Sequence, residues 1–484
     1  MDTTTKTRIV QNTVFVLIAQ ITNIFLQMVY LVVAARYLGN VQFGKLSFAM
    51  AFTQMFLAVT DLGLFNYAVK EISRKKEEAH RYFINLFVLK LLLGICVLTI
   101  IAFIISTLNY PPDTIITTYL LSLGLCLFSL NTTFHAIFQS YERLQYISIT
   151  MILFFVVNVS LGIIALLMGR NIITLACINC VAGIVVFITN LFILCRKFFI
   201  PKLMISIPFC KEMLFYSLPI GIGAICWSFY NRIDVSLLSF MKGDVSVGEY
   251  TAAYRLTNTL VFIPSAYMSA IFPIVAKQYI NVPTPLLNTL CQKSCRLMFI
   301  IAFPIAMMLT LSAPTIIDLL YGKTYCNAVN SLRILSWTII FTFISNVFGY
   351  VLISTFKTSK EYTLYALLGL VLNVGCNCIL IPLFDLNGAA MSTVITEAFI
   401  FVLYYRSVTK KGFCIPLPQL AIKPFLASLP ILWTMQFLDT KNIFVAVSVS
   451  LIIYFSILVV IKGIQRDEIK GICAILKNFH AYRN

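Results

Sequence analysis

Uninterrupted apolar runs of about twenty residues recur along nearly the whole chain, separated by short polar connections. A helix rises about 1.5 Å per residue, so each run matches the roughly 30 Å hydrocarbon core of a bilayer. Barrel strands would alternate apolar and polar positions over about ten residues, whereas these runs are continuously apolar. The pattern predicts fourteen spanning helices near residues 10–35, 43–66, 82–107, 114–139, 146–168, 172–194, 212–238, 249–276, 296–320, 328–353, 361–382, 386–406, 421–438 and 443–462. The expected fold class is an all-α polytopic membrane protein.

Composition agrees: 60% of the 484 residues are hydrophobic and 11% charged, against roughly 25% charged in soluble domains. The connections are too short for a soluble catalytic domain. They do, however, carry an asymmetric charge. With the N-terminus on the cytoplasmic side, 26 of the 36 Lys and Arg residues fall in cytoplasmic connections and six in external ones. That is the distribution the positive-inside rule describes, and it accounts for the net charge of +18 without a nucleic-acid partner. An even number of spans returns the C-terminus to the cytoplasm. The first apolar run contains Gln20, Asn23 and Gln27 and leads into Arg36 without a small-x-small cleavage site, so it reads as a retained helix rather than a signal peptide.

The fourteen cysteines lie almost entirely in apolar segments, where Cys behaves as a small hydrophobe. Cys177 and Cys180 form a C-x-x-C spacing with no second pair and no nearby His. The three His residues, His80, His135 and His480, form no cluster, so neither a metal site nor a cofactor is expected. Two glycosylation sequons, at Asn131 and Asn158, fall in or beside spans.

An internal duplication organises the chain. Val41-Gln42-Phe43-Gly44-Lys45 after span 1 is echoed by Val245-Ser246-Val247-Gly248-Glu249 after span 7, and Phe155-Val156-Val157-Asn158-Val159 by Leu370-Val371-Leu372-Asn373-Val374, at offsets of 204 and 215 residues. Six spans separate equivalent helices, so the repeats share one orientation and are related by an axis along the membrane normal. The expected organisation is a six-helix bundle at 1–194, a cytoplasmic linker at 195–211, a second six-helix bundle at 212–408, two additional helices at 409–463 and a cytoplasmic tail at 464–484. Parallel repeats of this kind are common in transporters, whose substrate path lies at the repeat interface.

Pro219, Gly221 and Gly223 stand at the start of span 7, Pro264 interrupts span 8, and Pro304 and Pro314 fall in span 9. Proline removes an intrahelical hydrogen bond and invites a kink, which makes Pro219, Gly221 and Gly223 candidate hinge residues. The general abundance of Pro and Gly in membrane helices is the plainer explanation.

An ionisable residue at the centre of a membrane helix costs about 2.5–3.5 kcal/mol on insertion scales, so it needs a cavity or a partner. Arg232 shares a four-residue spacing with Ser228 and Ser236 in span 7, predicting a polar stripe along a substrate path. Arg255 in span 8 lies at a similar depth near the external leaflet, and Lys90 in span 3 lies about 12 Å from the cytoplasmic side. Asp61 in span 2, Asp234 in span 7 and Glu397 in span 12 are the acidic candidates for carrying a coupling H⁺ or Na⁺. Their plainer roles are snorkelling for Arg232 and Arg333, anchoring a helix for Asp61, and structural pairing for Glu397.

The stretch Ala35-Arg36-Tyr37-Leu38-Gly39, then Phe43-Gly44, Thr60-Asp61-Leu62-Gly63-Leu64 and the basic segment ending Lys70-Glu71-Ile72-Ser73-Arg74 resembles the N-terminal signature of Wzx-type polysaccharide flippases. These belong to the multidrug/oligosaccharidyl-lipid/polysaccharide (MOP) superfamily, with its MATE-like fold. Asn231-Arg232-Ile233-Asp234 is similar to the second-repeat counterpart. The resemblance implies translocation of an undecaprenyl-diphosphate-linked oligosaccharide repeat unit across the bacterial cytoplasmic membrane, for O-antigen or capsule assembly, with a polysaccharide polymerase and a chain-length regulator as partners. A multidrug or small-metabolite exporter of the same superfamily is the first alternative, and for a multidrug exporter an acidic lumen is expected. A membrane glycosyl- or acyltransferase is the second, and needs paired carboxylates or a His base at the surface; Asp113, Asp244, Glu249, Asp385 and Asp439 instead stand singly in external connections.

Overall fold

A computed structural model describes residues 3–202, 204–278, 284–355, 360–437 and 443–463; the tail at 464–484 lies outside them. The described residues are helical, with no strand among them: α1 (Thr3–Met55), α2 (Leu57–Asp61), α3 (Leu64–Arg74), α4 (Ala79–Thr107), α5 (Pro112–Ser140), α6 (Leu144–Leu167), α7 (Ile172–Lys197), α8 (Ile207–Tyr230), α9 (Ile233–Lys242), α10 (Asp244–Thr259), α11 (Phe262–Gln278), α12 (Pro285–Tyr321), α13 (Ala328–Leu335), α14 (Thr338–Thr355), α15 (Lys360–Phe384), α16 (Leu386–Lys410), α17 (Leu417–Ser428), α18 (Pro430–Phe437) and α19 (Ile443–Val460).

Twelve helical segments among the described residues are long and apolar enough to cross a membrane, two fewer than the fourteen apolar runs. Spans 1 and 2 fall within one helical segment, kinked at Gly39 (φ 69°, ψ 173°). Span 8 is broken at residues 260–261, so neither α10 nor α11 reaches spanning length. Pro264 explains the second break: it has no N–H to give the Leu260 carbonyl, which accepts from the Ile263 N–H at 3.0 Å instead. Span 7 is also not continuous, since α8 ends at Tyr230 and α9 begins at Ile233. Pro219 does not open a helix but lies well inside α8, and α12 runs unbroken through Pro304 and Pro314 for 37 residues, about 55 Å.

Side-chain placement inverts the soluble pattern. On α4, Leu92 (59% exposed) and Phe103 (71%) point outward while Lys90 is buried. Apolar surface facing out along spanning helices is what hydrocarbon solvates.

The chain forms two compact units. The first comprises Met1–Thr259, Leu320–Ser331 and Phe356–Thr396; the second comprises Leu260–Leu319, Leu332–Thr355 and Glu397–Asn484. In the first, α1 packs on α6 and α10, and α5 on α4 and α7. One of its clusters gathers Leu64, Ala68 and Ile72 of α3, four residues apart on one face, with Phe83, Phe134, Phe138 and Met213. In the second, Tyr454 of α19 sits with Met307, Met308, Ala427 and Ile431 and donates to the Ile300 carbonyl of α12 at 2.8 Å; the last helices therefore pack on α12.

The duplication is visible in the first unit. Gly39 and Gly243, 204 residues apart, share one backbone conformation (φ 69° and 84°, ψ 173° and −172°) that L side chains rarely adopt. Five residues on, Gly44 lies against the Asp244 carbonyl and Gly248 against the Asn40 carbonyl. The two contacts exchange under the same offset, as contacts across a two-fold axis must. With a hydrogen in place of Cβ at both positions, α1 and α10 approach backbone to backbone.

Candidate functional site

Among the described residues of the first unit, two cavities adjoin. One, of about 220 Å³, is walled by Gln27, Tyr30, Met50, Thr53, Phe128, Phe154, Phe155, Asn158, Asn179 and Arg255, among others. The other, of about 210 Å³, is walled by Ser228, Asn231, Arg232, Tyr254 and Asn258. Gln54 and Leu57 line both, so the cavities share a wall. The 204-residue offset relates their linings: Gln27 corresponds to Asn231, Met50 to Tyr254 and Gln54 to Asn258. The cations break the symmetry, because Met28 and Ala51 stand where the second repeat has Arg232 and Arg255.

Arg232 stands at the break between α8 and α9, with φ −134° and ψ −13°. The Asn231 side chain closes α8 by donating to the Trp227 carbonyl at 2.7 Å. The Asp234 carboxylate starts α9, accepting from the Val235 N–H at 2.8 Å, where the helix dipole favours a negative charge. Asp234 is buried and also accepts from the Tyr250 hydroxyl, which lies 3.1 Å from Thr393 Oγ1. Ser228 donates to the Gln54 carbonyl at 2.9 Å, tying α8 to α1 at the shared wall.

Arg255 comes from α10. Its Nε is buried and has no hydrogen-bond partner. Among the described residues neither arginine forms an ion pair, and neither cavity is lined by a carboxylate. The unmet Arg255 donor is a group that an anion's oxygens would satisfy, while Arg232 lies within electrostatic reach of Asp234.

The profile of a family described as polysaccharide biosynthesis protein matches residues 9–278, more than half of the chain. The chain belongs to this family. A second profile, MatE, matches residues 219–379. A "Putative O-antigen transporter" of Escherichia coli (strain K12) is 26% identical over 269 residues, covering 54% of this chain and 63% of that one; the match thus spans less than two thirds of the relative. Among solved structures, lipid II flippase MurJ in an inward closed conformation superimposes with a TM-score of 0.76 at 16% identity, covering 93% of this chain and 98% of that one. An inward-facing MATE-family multidrug transporter of the MOP superfamily gives 0.66 at 16% identity, covering 80% and 95%. The fold is therefore MATE-like.

The candidate residues of this chain separate into groups. Arg232, Arg255 and Ser228 line the cavities. Ser236 does not: it is buried against Met55 Sδ at 3.3 Å. The helix break at Arg232 resets the register, so the four-residue spacing from Ser228 no longer defines one face. Lys90 is likewise absent from both cavity walls. Its ammonium is 2.6 Å from Asp61, donates to Thr132 Oγ1 at 2.5 Å and lies 6.0 Å from the Phe65 ring centroid. Asp61 ends α2, just before the left-handed pair Leu62 (φ 47°) and Gly63 (φ 77°). Gly221 packs on the Leu62 backbone, while Gly223 is buried in α8. Glu397, in the second unit, accepts from Thr342 Oγ1 at 3.2 Å.

The carboxamides Gln27, Gln54, Asn231 and Asn258 were not apparent as site residues, since single amides in spans are unremarked by hydropathy. Carrying the 204-residue offset along the whole helix, rather than only around the glycines, pairs them. Beside the glycine crossing, Lys45 and Asp113 form an ion pair at 2.8 Å. Burial pushes the nearby Asp244 carboxyl up from its ordinary value, Lys45 opposing and Asp113 adding to the shift.

Proposed function

We propose that this protein is a flippase that carries an undecaprenyl-diphosphate-linked oligosaccharide repeat unit from the cytoplasmic to the external leaflet of a bacterial inner membrane, for O-antigen or capsule assembly. The observation that carries the reading is the pair Arg232 and Arg255 on cavities that share a wall, with Arg255 Nε buried and unpartnered. A diphosphate supplies the acceptors this donor lacks, and it neutralises both cations. The hydrophilic head group needs such a path because it cannot enter hydrocarbon, whereas the polyprenyl tail is already at home there. The 26-to-6 partition of cations supports cytoplasmic N- and C-termini.

Alternating access driven by an H⁺ or Na⁺ gradient is part of the proposal, and Asp234 is the acidic residue best suited to couple it. It is buried two residues from Arg232, so binding of a cation there alters the field the anion feels. Asp61 is already neutralised by Lys90. A cation-exporting multidrug transporter is disfavoured by cavities with two arginines and no carboxylate on their walls.

The test is leaflet-resolved analysis of lipid-linked oligosaccharide in cells lacking the gene and any redundant flippase. Intermediates confined to the cytoplasmic leaflet, with surface polymer lost, are the expected result. Normal surface polysaccharide would overturn the proposal.

A further inference from the structure

We infer that the connection between α7 and α8 is a docking surface for anionic phospholipid, seated in the head-group layer of the membrane. It does not depend on the flippase reading above. Residues 198–202 and 204–206 of this connection are not helical, yet their outer side is apolar. Ile200 is 71% exposed, Met204 54%, Ile205 56%, and Ile207, the first residue of α8, 69%. Four exposed aliphatic side chains in one short connection mark an interaction site.

The inner side of the connection is fixed to the protein. Phe198 packs on Phe138, Tyr141 and Tyr146, and Phe199 on His80 and Phe83. The buried Asn85 side chain donates to the Met204 carbonyl at 3.0 Å and accepts from the Ser206 N–H at 2.9 Å. Two backbone groups flanking Ile205 thus find their partners inside the protein, so Met204 and Ile205 can enter an apolar layer without stranding them. Depth follows from the helix ends. Lys197 ends α7 and Ile207 begins α8, three and five residues beyond the expected spans, or about 5–8 Å outside the hydrocarbon. That is about the thickness of one head-group layer. Irregular backbone is excluded from the hydrocarbon itself.

Charge selects the lipid. Residues 196–212 hold four cations, Arg196, Lys197, Lys202 and Lys211, and one carboxylate, Glu212; all five side chains are exposed. Among the described residues of this unit, ion pairs are made instead by Lys45, Lys70, Arg74, Lys75 and Lys90. Arg196 lies 5.0 Å from the centroid of the exposed Phe192 ring, a cation held at the edge of an apolar surface. Ile207, Lys211 and Phe215, four residues apart, continue the exposed face down α8, where lipid rather than a protein partner covers it. Anionic lipids bring the matching charge to that depth, whereas a zwitterionic lipid balances its own phosphate with an amine.

The test uses the full-length chain in nanodiscs of phosphatidylcholine and phosphatidylglycerol. In a cysteine-free version, a fluorophore at Ile205→Cys should be quenched by lipids brominated on the acyl chain about threefold more strongly than one at Lys75→Cys. Aqueous iodide should rank the two labels in reverse. Phosphatidylglycerol should be enriched over phosphatidylcholine around the chain, and Lys197→Gln, Lys202→Gln and Lys211→Gln together should cut that enrichment on the order of tenfold. Removing charge elsewhere, by Lys70→Gln with Lys75→Gln, should change it little. A label at Ile205→Cys that iodide quenches as it does one at Lys75→Cys would make the patch a water-facing surface for a protein partner and overturn the proposal. Enrichment that survives the triple substitution, or falls equally in the control pair, would overturn it as well.

Discussion

Arg232, at the break between α8 and α9, and Arg255, in α10, lie on the cavity walls and form no ion pair among the described residues, where insertion of a charge costs about 2.5–3.5 kcal/mol. Stability gives no reason to keep them, so Arg232→Ala and Arg255→Ala should leave protein levels near wild type while transport falls by about 10- to 100-fold, the worth of a charge-assisted hydrogen bond. Flipping rates normalised to membrane protein level check this, and wild-type rates in both variants would remove the arginines from the path. Lys90 is the opposite case, because its ammonium is fully buried against Asp61. Asp61→Asn strands that charge and should destabilise the protein by about 3–5 kcal/mol. Lys90→Met combined with Asp61→Asn should recover much of the loss, as read by thermal unfolding in detergent. Equal instability of the single and double variants would mean that the pair does not set stability.

Among the elements, the crossing of α1 and α10 depends on two missing side chains. A Cβ at Gly44 or Gly248 would collide with the backbone of the facing helix, so Gly44→Ala and Gly248→Ala should each lower stability by about 1–3 kcal/mol. Gly375 of α15 is the contrast, since a Cβ there meets nothing within 4 Å; Gly375→Ala should raise stability by about 0.5–1 kcal/mol. Melting temperatures of the three variants decide whether close approach or mere glycine content matters. Asp244, at the same crossing, titrates above its ordinary value of 3.8 because of burial. Its ionised form is therefore disfavoured by folding. Asp244→Asn should stabilise the protein above the raised pKa, and that gain should disappear as pH falls below 3.8. A gain independent of pH would assign it to something other than the charge.

For the whole molecule, the partition of cations makes a prediction about sidedness. In a cysteine-free version of the chain, Arg170→Cys should react with a membrane-impermeant thiol reagent added outside intact cells, and Arg143→Cys should react only after permeabilisation. The reverse pattern would invert the orientation, and with it the direction of substrate movement. Both residues are exposed and both lie in short connections, so accessibility differs between them only through the side of the membrane they face.

The sequence alone determined the solvent, the helical class and the repeat, because each is written in local or periodic features: twenty-residue apolar runs, the distribution of Lys and Arg, and glycines 204 residues apart. It also singled out Arg232 and Arg255, since a charge in an apolar run stands out wherever it falls. Tertiary structure decided what those charges meet. Lys90 and Asp61 read as two separate functional candidates along the chain, yet α2 and α4 bring them within 2.6 Å as a pair. Ser236 lost its predicted place because the break at Arg232 rotates α9 relative to α8, and nothing in the spacing of Ser228, Arg232 and Ser236 announces that break. The shared wall at Gln54 likewise depends on α1 passing between both cavities, a long-range arrangement set by packing at Gly44 and Gly248 rather than by any pattern within one helix.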